Sequence, residues 1–161
     1  MPDQSITPQK KASVFDEIDR LQEHVRQRAY DLFRAHEGTL TDPLADWFSA
    51  EHELVWRPAV EVRQKDGQIE IRAAVAGVEP KDLDVQVSPE DIVIKAQIDH
   101  HHDETSGKVH VCEFERGHLF RSIHLPERID PNSVKAECRN GLLQITASTQ
   151  PAPARTDVPV S

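Results

Sequence analysis

From residue 58 onward the apolar residues of this chain alternate with polar ones. Val60 and Val62, then Ile69, Ile71, Ala73 and Val75, then Leu83, Val85 and Val87, then Ile92, Ile94, Ala96 and Ile98 each skip one position, opposed by Glu61, Glu70, Arg72, Asp84, Gln86, Lys95 and Gln97. A period of two places successive side chains on opposite faces of a strand, so every run has one face for a core and one for water. Antiparallel sheets suit that pattern, whereas parallel sheets are covered on both faces. Asp66-Gly67, Gly77 to Pro80 and Ser88 to Asp91 supply the turns. Further runs at 109–114, 118–125, 133–138 and 142–148 bring the total to about eight strands in roughly 90 residues. The fold class is therefore mainly β, an immunoglobulin-like antiparallel β-sandwich.

Asn140-Gly141 fixes the last hairpin. A type I′ turn needs two residues at positive φ, which asparagine and glycine tolerate. On its C-terminal side Leu143, Ile145 and Ala147 alternate with Gln144, Thr146 and Ser148, so the first three face the core.

Before residue 58 the period is helical. Val14, Ile18, Leu21, Val25, Leu32 and Phe33 form one stripe over residues 14–36, with Ser13 as N-cap and Gly38 as stop. Thr41-Asp42-Pro43 opens a second helix carrying Leu44, Trp47, Phe48 and Leu54, and Arg57-Pro58 ends it, because the residue before proline is pushed out of the helical region. Two short amphipathic helices bearing Tyr30, Phe33, Trp47 and Phe48 do not bury those rings alone. They pack on each other, on the strand domain, on another subunit or on a bound protein.

Glu113, Arg116, Gly117, Phe120, Arg121, Leu125 and Pro126, followed by Ala136 and then Asn140-Gly141-Leu142-Leu143, resemble the closing half of the α-crystallin domain of small heat-shock proteins. Phe114 stands where that family usually has arginine, and Leu119 where it usually has phenylalanine. The resemblance implies that Val109 to Phe114 crosses to a partner subunit, so that Val109, Val111, Glu113, Arg116 and Arg121 serve a homodimer. Mutual donation of a strand covers an open sheet edge. Near the end, Val158-Pro159-Val160 resembles the family's anchor, two β-branched residues flanking one other, which docks in a groove of a neighbouring dimer. Leu83, Val85, Val134 and Ala136 are the expected receiving groove. Proline presets the extended form of the anchor. The front segment, Arg28-Ala29-Tyr30-Asp31-Leu32-Phe33 with Gly38 and Asp46-Trp47-Phe48-Ser49-Ala50-Glu51, is similar to a short bacterial helical module to which no role is attached. The expected division is a helical region at 1–57, the sandwich domain at 58–149 and a flexible extension at 150–161.

A net charge of −9 disfavours nucleic acid and anionic membrane surfaces as partners. No apolar run approaches the roughly 18 residues that span a bilayer, and the first residues lack the basic and apolar regions of a signal peptide, so a cytoplasmic location is expected. Cys112 and Cys138 are not in a C-x-x-C arrangement and read as reduced, half-buried thiols. His100, His101, His102 and Asp103 fall in a polar loop. Adjacent histidines do not all turn toward one ion, so no metal is assigned; the loop instead gains positive charge as pH falls through roughly 6.5. No phosphate-cradling glycine loop, G-x-S-x-G or H-E-x-x-H is present, so neither an enzyme nor a cofactor is expected. The resemblance implies an ATP-independent holdase that binds partly unfolded clients, with Tyr30, Phe33, Trp47 and Phe48 as client-binding residues. The competing expectation is a co-chaperone or scaffold that binds one defined partner through the helical hairpin.

Overall fold

The computed structural model describes residues 5–10, 15–36, 42–114 and 117–151. The alternating runs become strands of two packed sheets. Val60–Lys65 (β4), Gln68–Ala74 (β5), Lys135–Arg139 (β9) and Leu142–Ser148 (β10) lie in one sheet; Leu83–Val87 (β6), Asp91–Ile98 (β7) and Gly117–His124 (β8) lie in the other. Their inward faces meet in one core that contains Ile71, Val85, Ile94, Leu119, Leu143 and Ile145.

Two glycine turns set the hairpins. Asn140 and Gly141 have φ of 51° and 75°, and they pair Leu142 with Arg139 and Leu143 with Cys138. A Cβ on Gly141 would stand 3.0 Å from Ala76 Cα, so the turn needs glycine for space as well as for its φ. Asp66 and Gly67, at 52° and 74°, do the same for β4 and β5.

Three runs depart from the alternation. Val62 is 39% exposed and Val60 half-buried, because β4 is an edge strand with no cover on its flank. Val93 and Gln86 are buried on the outer face of the second sheet, where the sequence assigns solvent. Residues 109–114 form no strand in the single chain, and Val111 is 78% exposed.

The front of the chain packs on the outer face of the second sheet. Phe15–Ala35 (α1) and Pro43–Leu54 (α2) pack together, burying Val25 and Ala50. Asp42 caps α2 by accepting from Leu44 N–H at 3.0 Å, and Pro43 takes the first turn. Arg28 pairs with Glu53 at 2.8 Å, and His36 with the buried Asp46 at 3.2 Å, tying both ends of α2 to the first helix and the turn that follows it. The hairpin stands over β8, with the His24 and His118 rings stacked at 5.8 Å and Ile18, Leu21 and Val25 sharing a cleft with Phe120. The helix ends at Leu54, earlier than Arg57-Pro58 suggests. Val55 adopts extended geometry, and Val55–Trp56 (β3) adds to β8 in parallel. Ser13, Val14, Gly38 and Thr41 lie outside the described residues.

Two strands have no counterpart in the sequence expectations. Ser5–Ile6 (β1) pairs antiparallel with β9, and Gln9–Lys10 (β2) pairs parallel with β6. The arm thus spans the open side of the sandwich from one sheet to the other.

Candidate functional site

The expected groove lies where that arm runs. Leu83, Val85, Val134 and Ala136 are all buried in the shared core. Val134 and Ala136 also line a cleft of about 580 Å³, together with Ser5, Ile6, Thr7 and Pro8 of the arm. Ile6 stands across from Ala136 and is 7% exposed. Lys10 Nζ donates to Asn132 Oδ1 and fastens the other end. Leu83 and Val85 belong to the floor of the sandwich rather than to the open cleft. Val158, Pro159 and Val160 lie outside the described residues. Sequence reasoning missed Ile6, although Ile6-Thr7-Pro8 carried a signal: the residue before proline is driven toward extended geometry.

A second feature is the segment 109–114. Val109, Val111 and Phe114 are exposed, and Glu113 faces solvent beside them. Arg121 lies on β8 opposite Ile94, between the buried Leu119 and Ile123, so its side chain has the parity of the inward face. Its Nε is buried and meets no hydrogen-bond acceptor among the described residues. Arg116 lies outside them.

The third feature is aromatic. Tyr30, Phe33 and Phe48 are 60%, 46% and 59% exposed and Leu44 is 57% exposed, while Trp47 is half-buried. The hairpin therefore satisfies part of its apolar surface against α1, α2 and β8 and leaves these rings in water.

The polar loop brings together groups that the sequence kept apart. His100 Nε2 lies 3.2 Å from His102 Nε2, and the Cys112 thiol joins them from across the loop. Asp103 instead accepts from Thr105 N–H and from the Thr105 and Ser106 hydroxyls, and these bonds hold its carboxyl below the usual range. Cys138 is buried in β9, and burial pushes its thiol pKa up.

A sandwich of this strand order, preceded by helices, places the chain among known folds, and the family model of the Hsp20/alpha crystallin family matches residues 61–161. The chain belongs to this family. Small heat shock protein C2 of Rickettsia felis is 29% identical over 98 residues, covering 61% of this chain and 62% of that protein. Spore protein SP21 of Stigmatella aurantiaca is 28% identical over 132 residues, covering 78% of each. Among solved structures, heat shock protein 16.0 of Schizosaccharomyces pombe superposes with a TM-score of 0.55 at 20% identity, over 66% of this chain and 99% of that one. A small heat-shock protein from Xylella fastidiosa superposes with a TM-score of 0.52 at 23% identity, over 66% and 97%. At these identities the two structures speak to the fold alone. Small heat-shock proteins are non-enzymatic chaperones, and membership supports a chaperone role. No helix among the described residues is long and apolar enough to cross a membrane.

Proposed function

We propose that this small heat-shock protein is an ATP-independent holdase that captures partly unfolded proteins on the aromatic face of its helical hairpin. The observation that carries this reading is the exposure of Tyr30, Phe33, Leu44 and Phe48 on two helices that are otherwise packed and ion-paired. Several large apolar groups kept exposed on one helical unit point to a binding role. Such a surface binds whatever exposes apolar area, which suits unfolded clients better than one shaped partner. Capture shifts the unfolding equilibrium of the client by mass action and needs no nucleotide.

The building block is a homodimer joined through residues 109–114. Their exposure supports strand exchange, and so does Arg121: a buried N–H left unpaired costs about 1–3 kcal/mol, which an acceptor from a second chain removes. Val158-Pro159-Val160 of a neighbouring chain docks between β6 and β9. Two valines contribute roughly 3–5 kcal/mol before ordering costs, weak enough for subunits to exchange. The division at 1–57, 58–149 and 150–161 follows these roles.

The test is suppression of aggregation. Several unrelated proteins heated with the full chain, without nucleotide, should scatter less light. Protection of one protein alone would replace the holdase with a scaffold that binds a defined partner.

A further inference from the structure

We propose that His100, His102 and Cys112 form a zinc-binding site. His100 and His102 are two positions apart, which in extended chain sets side chains on the same side and leaves His101 on the other. Their Nε2 atoms stand 3.2 Å apart with the rings nearly perpendicular, and Cys112 Sγ completes a set whose ligand atoms all lie within 4.8 Å of one another. Tetrahedral zinc, with bonds of about 2.0–2.1 Å to nitrogen and 2.3 Å to sulfur, spaces its ligands roughly 3.4–3.6 Å apart. The histidines are already near that spacing, and the thiol needs to close by roughly an ångström.

The local chain accounts for the convergence. Asp103 caps a single helical turn at Glu104–Ser106, and Gly107, at φ 120°, follows it, so the chain reverses and brings residue 112 back to residue 100. This capping occupies the Asp103 carboxylate, so the described residues offer three ligands, and water completes a tetrahedral set. The Phe114 ring, 4.9 Å from that of His100, covers one side. Two imidazoles and a thiolate are borderline-to-soft donors that select zinc or copper over magnesium or calcium. On binding, the Cys112 thiol gives its proton to solvent and the sulfur bonds to the metal. A hydrogen bond between two neutral imidazoles would also explain the 3.2 Å contact, but it gives the cysteine no part.

Cys112 also lies within 109–114. Zinc closes residues 100–112 into a loop on their own chain, whereas strand exchange carries Cys112 to a partner; bound zinc therefore opposes exchange. This consequence rests on the dimer proposed above.

The full chain is titrated with Zn2+ against a chromophoric chelator. One ion per chain is expected, with affinity weakened roughly tenfold or more in His102→Ala and Cys112→Ser and unchanged in His101→Ala. Cobalt in place of zinc gives a sulfur-to-metal charge-transfer band that Cys112→Ser abolishes. All three substitutions fall on a loop outside the core, and circular dichroism checks the fold. Wild-type affinity in Cys112→Ser, or equal losses in His101→Ala and His102→Ala, overturns the site. Sedimentation with and without zinc reads the coupling separately. A shift toward single chains supports it, and bound zinc with an unmoved dimer overturns the coupling. A chain that is single even without zinc overturns the dimer and leaves the site to the titration.

Discussion

Ile6 sits opposite Ala136 on the outer edge of β9, so the chain's own N-terminal arm covers the edge at which its C-terminal anchor is proposed to dock. Two apolar segments compete for one edge, and each weakens the apparent affinity of the other. Ile6→Ala removes roughly 1.5–3 kcal/mol of burial from the arm. A labelled peptide spanning residues 155–161 should then bind about tenfold tighter or more. The same peptide with Val158 and Val160 replaced by alanine should bind poorly, and those replacements in the full chain should yield smaller particles tending to dimers. Equal peptide affinity with and without Ile6 would separate the arm from the anchor.

Leu143 is wholly buried in β10, while its neighbour Gln144 is half-exposed. Leu143→Ala should therefore cost about 2–5 kcal/mol in denaturant unfolding. Gln144→Ala should stay within about 0.5 kcal/mol. Similar losses at both positions would mean that the faces of the strand are reversed.

The two thiols differ in burial, and their chemistry should follow. Burial in β9 holds Cys138 protonated above the ordinary thiol range, so little thiolate forms at neutral pH. Cys112 is half-buried beside the polar loop. Alkylation followed by mass spectrometry should label Cys112 first, with Cys138 reacting only as pH rises or as the fold opens. Labelling of Cys138 ahead of Cys112 in the folded protein would contradict this burial.

The sandwich was legible because its determinants are local. Asn140-Gly141 and Asp66-Gly67 state their turns in two residues, and the alternation of β5, β6, β7 and β10 states which side chains meet. The misses share a different cause. Ile6 is buried by its pairing with β9, from the far end of the chain, and the burial of Gln86 and Val93 on the outer face is likewise not carried by any local pattern. Cys112 meets His100 and His102 only because Asp103 turns the loop, so residue spacing alone did not reveal the cluster. The aromatic residues Tyr30, Phe33 and Phe48 were placed by amphipathic period, and they are exposed; Trp47 on the same hairpin is half-covered.

The client surface can be tested without cutting the chain. Removing residues 1–57 would strip β1 from β9, β2 from β6 and β3 from β8, so lost protection by the truncated domain would report uncovered sheet edges as well as missing helices. Point changes avoid this confusion. Phe33 and Phe48 are about half exposed, and charging an exposed ring leaves the core untouched. Phe33→Asp with Phe48→Asp should keep the thermal midpoint within a few degrees, while the ratio of chain to client needed to prevent aggregation rises several-fold. Charge at Trp47, which is half-buried, should lower protection and stability together. If the double variant protects heated clients as well as the unchanged chain, client capture belongs to the sandwich, and the helical hairpin only shields the outer face of β8.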